Sequence, residues 1–298
     1  MSLWKHYHVA TSIEDALDAL ANSPQPVSPV AGGTDLLLEL QQNHHAPVTS
    51  LVDLTRIPEL TCLEIRDDHL FIGAGVPVST VSESALVRKH AQAVAEGCGL
   101  IGGPQVRNTA TLGGNVAHAL PAADGMIGLV ALDAVALVAD HAGMQRRSML
   151  SLFLGPGQSA LVANREILVG FEIPLIQSGQ ASAFKRVMRP QGVALPILNM
   201  AAWLEREGGR IRQVRVAVGP AGPTPQRAGA VEAFLTNVDF NPANLAGASA
   251  ILRSTMRFRT SALRATSDYR YQISESLLID TLTAAWERSG DERTSNES

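Results

Sequence analysis

Cysteine is scarce in this chain: 298 residues carry two, Cys62 and Cys98. Two thiols exclude a disulfide framework, and they exclude a four-cysteine iron–sulfur cluster held by this chain alone. They point to a reducing, cytoplasmic compartment. Long apolar runs are also missing. The best candidate, Met126 to Ala139, contains Asp133 and falls short of the ~20 residues a membrane span needs. The opening residues Met1 to His6 lack the basic-then-apolar layout of a secretory signal. Excess charge is absent too. The formal net charge is −4, which gives no basic footprint for nucleic acid and no polybasic membrane signal. No Gly-x-Gly-x-x-Gly follows a strand and no Gly-x-x-x-x-Gly-Lys occurs, which disfavours a Rossmann domain and a P-loop.

What remains is an ordinary folded composition, 46% hydrophobic and 17% charged, which argues against disorder. At ~100–200 residues per domain, two or three compact units are expected. Tyr7-His8-Val9 reads as a short strand. Ser12 then precedes a helix whose Ile13, Ala16, Leu17 and Leu20 share one face, with Ser12 as N-cap and Asp15 in the first turn. Strands follow at Val27–Val30 and Ser50–Leu54, separated by a helix from Leu36 to Gln42. A hairpin is expected around Asp67-Asp68. Helices are expected at Ser79–Lys89 and Ala91–Gly99, a loop at Gly102–Pro121, and a helix turning into a strand over Met126–Val138. Leu161-Val162 and Ile167–Pro174 read as strands. After a linker at Ser178-Gly179-Gln180, three antiparallel strands and then three helices are expected, with the polar tail from Arg288 frayed.

Two glycine loops carry the chemistry. Ala31-Gly32-Gly33-Thr34-Asp35 lies between a strand and a helix. Paired glycines let a ligand approach the backbone and present successive N–H groups, and a helix start favours an anion. Thr34 adds a hydroxyl. Asp35 suits a sugar or polyol hydroxyl better than a phosphate. Thr111-Leu112-Gly113-Gly114-Asn115 repeats the pattern, and Asp124 follows nine residues after Asn115. A phosphate cradle and a hydroxyl-binding carboxylate could thus serve one ligand. Taken singly, a Gly-Gly pair is more often only a turn.

Together, Ala31 to Leu37 and Gly103 to Asn115 resemble the flavin subunit of molybdenum hydroxylases, the medium-subunit type of xanthine dehydrogenase and carbon monoxide dehydrogenase. Pro121-Ala122-Ala123-Asp124, Arg165–Leu168, Phe184-Lys185-Arg186 and Ser267–Arg270 extend the match from Tyr7 to about Trp286. The resemblance implies an α+β fold: a two-subdomain FAD-binding domain of the vanillyl-alcohol-oxidase (PCMH) type, then a C-terminal three-stranded sheet with a helical bundle. The divisions implied are 1–60, 61–177 and 178–290, with 291–298 as a tail.

The resemblance also implies roles. Val30, Ala31, Gly32, Gly33, Thr34, Asp35 and Leu36 would wrap the FAD diphosphate. Ala110, Thr111, Gly114 and Asn115 would form the facing wall. His118, Asp124 and Gly125 would line the adenosine-to-ribityl stretch, Ile167 and Leu168 would pack on the adenine end, and Lys185 would lie near the flavin. Ile101 stands where large eukaryotic members carry an aromatic that stacks on the cofactor. No catalytic or metal-ligating residue is implied. Lacking its own cluster cysteines, the chain would take electrons from a separate [2Fe–2S] small subunit, itself reduced by a molybdopterin large subunit. It would pass them to NAD or another acceptor, within a dimer of heterotrimers. The alternative is a free-standing FAD-dependent reductase of the same superfamily, which would need its own proton donor beside the flavin. His44-His45 reads as a solvated loop pair, Cys98 as a buried apolar side chain, and Arg186 and Arg189 as solvated surface cations by default, with a role beside Lys185 for an anionic acceptor as the alternative.

Overall fold

The computed structural model describes residues 3–189, 195–261 and 264–290. The chain opens with β1 (His6–Val9), α1 (Ile13–Asn22), β2 (Val27–Val30), α2 (Leu36–Gln41) and β3 (Ser50–Asp53). These strands form a parallel three-stranded sheet with β3 in the centre. Ser12 Oγ accepts from the Asp15 N–H at 3.1 Å, as the N-cap reading requires. Ala16, Leu17 and Leu20 of α1 are buried with Val52 and Leu54.

The chain continues through α3 (Pro58–Thr61), β4 (Leu63–Arg66) and β5 (His69–Gly73). Asp67, at φ 52°, turns the β4–β5 hairpin. Six helices follow: α4 (Val78–Glu83), α5 (Ala85–His90), α6 (Gln92–Gly99), α7 (Pro104–Arg107), α8 (Leu112–Ala117) and α9 (Asp124–Ala131). The single helix expected over 79–89 is split because Ser84 adopts an extended backbone and caps α5, accepting from the Val87 N–H. The glycine-rich stretch expected to be loop contains the short α7 and α8. Thr111 makes α8 possible by capping it.

Then come β6 (Val135–Asp140), β7 (Gly143–Ser148), a 3-10 turn at Met149–Leu152, β8 (Phe153–Gly155), β9 (Gln158–Ser159) and β10 (Ile167–Pro174). A five-stranded antiparallel sheet has the order β4-β5-β10-β6-β7, so β10 returns to pair between β5 and β6. Leu161-Val162 is not a strand. The β8–β9 pair ends at Ser159, and Val162 instead binds Glu166 through its N–H at 2.9 Å. The strand at Gly143–Ser148 escaped the sequence reading because its polar, largely exposed residues give no apolar alternation.

The C-terminal part is β11 (Gln180–Val187), β12 (Leu198–Glu207), β13 (Arg210–Gly219), β14 (Gln226–Arg227), α10 (Gly229–Leu235), β15 (Val238–Asp239), α11 (Pro242–Thr255) and α12 (Ser267–Gly290). The three long strands form the expected antiparallel sheet, and β14 and β15 add two-residue edges. Both faces of this sheet are covered. Met200, Ala202 and Leu204 of β12 pack with Leu252, Leu278 and Leu282 of the helices. Ala201 and Trp203 face the other way, into the core shared with α6 and α9. Burial on both faces explains why β12 reads as a continuous apolar run. The apolar spacing predicts helices over Ala248–Phe258 and Ile273–Ala285; α11 and α12 begin earlier, at Pro242 and Ser267, because Asn241 caps α11 and polar residues fill the first turns of α12. Of the tail expected to fray from Arg288, residues 288–290 instead complete α12, where Arg288 pairs with Glu96, and 291–298 lie outside the described residues.

Candidate functional site

A cleft of about 550 Å³ opens where the parallel sheet, the glycine-rich helices and the C-terminal sheet meet. One wall is the Ala31–Asp35 loop, running from the end of β2 into α2. Gly33 sits at φ +66°, a left-handed conformation that glycine adopts without penalty. The backbone N–H groups of Gly32, Gly33 and Thr34 take part in no hydrogen bond among the described residues. They form an open donor set at the start of a helix, an arrangement that suits an anionic oxygen.

The opposite wall is the Thr109–Asn115 segment. It touches the first loop through Gly32, where an added Cβ would lie 2.1 Å from the Thr109 carbonyl oxygen. Thr111 Oγ1 accepts from the Gly114 N–H at 3.1 Å. That use leaves its hydroxyl hydrogen available to donate. The Gly113 N–H is already committed to the Ala74 carbonyl at 2.8 Å. Asn115 Oδ1 is buried without a hydrogen-bond partner.

Between these walls lie His118 and Glu39, with Nε2 and Oε1 3.5 Å apart. Ile101, Val106, Leu161, Ile167 and Leu168 supply an apolar end. At the C-terminal-sheet end Asp124 and Arg186 form a buried ion pair, their side chains 5% and 7% exposed. Asn199 Nδ2 donates to the other Asp124 oxygen at 2.7 Å. Burial pushes the Asp124 carboxyl above its ordinary range, while Arg186 and Asn199 pull it back. Both oxygens of Asp124 are thus engaged with β11 and β12, which leaves only their remaining lone pairs for a ligand hydroxyl. Arg186 Nε is buried and unpartnered.

Of the residues singled out in the sequence, the cleft brings together Val30 to Leu36, Ile101, Ala110, Thr111, Gly114, Asn115, His118, Asp124, Ile167 and Leu168. It does not bring in Gly125 or Lys185. Gly125 packs behind the wall, where a Cβ would meet Leu112 Cδ1 at 2.9 Å. Lys185 is exposed on β11, and strand alternation gives the inward position to its neighbour Arg186. Glu39, Leu195 and Arg264 also line the cleft without a signal in the sequence, and Arg186, named there only beside Lys185, lines it as well. The parity of β11 could have found Arg186, since Ser182 and Phe184 on the same face are also buried against the helical core. Cys98 is fully buried, and burial, aided by Asp124, pushes its thiol well above the ordinary range, so it is no nucleophile. Among the described residues no group of three or more His, Cys, Asp or Glu is placed to hold a metal ion, and no helix is long and apolar enough to cross a membrane.

This geometry agrees with what the chain is similar to. Residues 3–176 match the family of the FAD-binding domain in molybdopterin dehydrogenase, and residues 182–285 match the CO dehydrogenase flavoprotein C-terminal domain. The nicotine 6-hydroxylase medium subunit of Paenarthrobacter nicotinovorans is 30% identical, covering 95% of this chain and 97% of its own. The xanthine dehydrogenase FAD-binding subunit of Escherichia coli O157:H7 is 29% identical over 94% and 95%. A solved structure of carbon monoxide dehydrogenase from Hydrogenophaga pseudoflava superposes with a TM-score of 0.89 at 27% identity, covering 95% of this chain and 98% of that one. The chain belongs to the FAD-binding medium-subunit family of molybdenum hydroxylases, and FAD is its cofactor. It is an oxidoreductase subunit. A free-standing reductase is not favoured, since relatives matched along their full length are named as subunits.

The residues present fit the cofactor. The open N–H groups of Gly32, Gly33 and Thr34 suit a diphosphate, and Thr111 can donate a hydroxyl. The apolar end at Ile101, Ile167 and Leu168 suits a flat ring.

Proposed function

We propose that this chain carries electrons between the subunits of a molybdenum hydroxylase. It would accept them from a [2Fe–2S]-bearing small subunit, reduced in turn by a molybdopterin large subunit, and deliver them to NAD or another acceptor. FAD supplies the redox chemistry when bound, linking one-electron donors to two-electron acceptors. The protein's part is to hold, orient and shield it. The observation that carries the reading is the pair of glycine loops that meet at Gly32 and leave three adjacent N–H groups open to the cleft.

In this reading Val30 to Leu36 wrap the diphosphate, and Ala110, Thr111, Gly114 and Asn115 close over it. Ile101, Ile167 and Leu168 take the adenine end, and His118 with Asp124 borders the middle of the ligand. Gly125 acts from behind the wall, by keeping Asn115 in place. At the flavin end the role assigned to Lys185 passes to Arg186, whose guanidinium faces the cleft. The chain divides in this reading into units 1–60, 61–177 and 178–290, a division supported by the three larger sheets, which draw their strands from residues 6–53, 63–174 and 180–239. The assembly is a dimer of heterotrimers, and its compartment is the cytoplasm.

Copurification tests the reading. A tagged chain expressed beside its genomic neighbours should retain an iron–sulfur subunit and a molybdenum subunit. Addition of the hydroxylated substrate should then bleach the flavin absorbance of the complex. A chain that purifies alone, and reduces a small substrate unaided, would overturn it.

A further inference from the structure

The two glycine walls of the cleft carry carboxylates but no arginine or lysine. Among the described residues that line them, between Ser28 and His45 and between Ile101 and Leu120, the acids are Asp35 and Glu39. The other titratable side chains there are His45 and His118. Both arginines that line the cleft, Arg186 and Arg264, belong to the C-terminal end, and Arg186 is tied to Asp124. A diphosphate brings two negative charges. Between these walls it meets backbone N–H dipoles and two carboxylates, and like charges in a partly buried cleft repel. Among the side chains of these walls, only a histidine can supply the missing positive charge.

His118 joins the two walls. It closes α8, its N–H donating to the Gly114 carbonyl at 3.0 Å, and the C-terminal end of a helix favours a cation. Its Nε2 lies 3.5 Å from Glu39 Oε1, with the two side chains 24% and 32% exposed. Glu39 is itself held on α2. Its N–H donates to the Asp35 carbonyl at 2.9 Å, and its carbonyl accepts from the His44 N–H at 2.8 Å. A ring nitrogen that faces a carboxylate carries hydrogen, so Nδ1 is the acceptor of the neutral ring. Among the described residues Nδ1 has no hydrogen-bond partner. The acids on the elements packed against α8 are already paired: Asp124 of α9 with Arg186, and Glu172 of β10 with Arg146. Glu166, which lines the cleft just before β10, is paired with Arg147. Glu39 is therefore the carboxylate left to act on His118, with Asp35 and His45 beyond the two ends of α2.

We propose that FAD binding takes up a proton at His118, and that Glu39 is the positioning residue that holds the resulting imidazolium between the walls. The proton comes from solvent and adds at Nδ1; no other bond changes. Both ring nitrogens then donate, Nε2 to Glu39 and Nδ1 to an anionic oxygen of the ligand. The new positive charge offsets the repulsion between the ligand and the carboxylates Asp35 and Glu39. Opposite charges beside the ring favour its charged form, so the ligand raises the proton affinity of His118. By reciprocity, protons strengthen ligand binding. That gain is fully present where the ligand-free ring is already protonated, and it is lost as pH rises through the titration of the bound ring. Histidine is the side chain type that changes charge between about pH 5 and 8. The proposal rests on the FAD reading and adds proton linkage to it.

Calorimetric titration of FAD into the FAD-free full chain, from about pH 6 to about pH 8.5 and in two buffers of different ionisation heat, tests it. The diphosphate and the oxidised flavin do not titrate in this range, so a proton taken up is the protein's. The expected result is an affinity that falls about tenfold or more across the range, with heats near neutral pH that differ between the buffers by the uptake of part of a proton. His118→Gln should give a flat profile near the parent's alkaline affinity, and equal heats. Glu39→Gln keeps an acceptor but loses the charge, and should move the fall in affinity toward acid. His45→Gln should leave the pH dependence in place. Equal heats in both buffers with the parent chain would overturn the proposal without recourse to any variant. So would a profile that survives His118→Gln or vanishes in His45→Gln, and an unmoved profile in Glu39→Gln would deny the positioning role. Absence of FAD binding at every pH contradicts the cofactor reading and this proposal together. Binding of constant strength across the range contradicts the proposal alone.

Discussion

Three glycines of the cleft answer differently to the same added carbon, and that difference isolates the cradle from the fold. At Gly114 a Cβ would meet only Thr111 Oγ1, at 3.1 Å, and otherwise enters open space on the cleft wall. A side chain there is compatible with the folded chain, and removing a helical glycine returns up to about 1 kcal/mol of backbone entropy. Gly114→Val should therefore unfold in urea close to the parent. Its cost falls on the ligand. Keeping the diphosphate off the loops removes about two charge-assisted hydrogen bonds, or about 3 kcal/mol, roughly a hundredfold in affinity. Gly33→Ala is an intermediate case. Its φ of +66° costs about 1–2 kcal/mol for any residue with a Cβ, and Leu37 Cδ1 at 3.0 Å can yield. Gly32→Ala should damage both properties, because its Cβ would sit 2.1 Å from the Thr109 carbonyl and force the two loops apart. The assay is flavin fluorescence quenching on titration of FAD into apo-chain, with urea unfolding run on each variant. Full occupancy and unchanged affinity in Gly114→Val would refute the cradle.

Three further outcomes follow from the geometry. Asp124→Asn leaves Arg186 buried without its counter-charge and should cost about 3 kcal/mol in urea unfolding; a variant as stable as the parent would show that the pair is dispensable. Tyr7 donates to Asp53 Oδ2 at 2.5 Å, and that bond, with burial and the carboxylate's charge, pushes its phenol up to about 12. Because this pKa is raised, the linked stability is fully present below about pH 10 and is lost as pH rises toward about 12. Ultraviolet titration should show a late tyrosinate phase that Tyr7→Phe removes. Glu96 accepts from the Phe184 N–H at 2.8 Å and pairs with Arg288, which also donates to the Ser182 carbonyl at 2.9 Å. A double-mutant cycle of Glu96→Ala and Arg288→Ala should give a coupling of about 1 kcal/mol, consistent with a half-buried pair tying α12 to α6; additive effects would deny the tie.

Much of this was legible because local rules and tertiary needs agreed. The stripe of α1, its Ser12 cap, the Asp67 turn and both glycine loops each announce themselves within a few residues. The features that stayed hidden depend on distant partners. Arg186 and Asp124 are 62 positions apart, and Glu39 reaches His118 only once α2 and α8 face each other across the cleft. Lys185 drew attention through its motif, yet β11 pairing fixes that Arg186 is the inward residue. The edge strand β7 was invisible because its residues face water and carry no apolar alternation.

The central claim is that the cleft holds FAD through the meeting of the two glycine loops. The most direct test is the visible absorbance of the purified chain after FAD addition and desalting, run beside Gly114→Val. The account predicts a flavin band of about one FAD per chain in the parent and its loss in the variant, with both proteins folded. Equal flavin retention by parent and variant would contradict it.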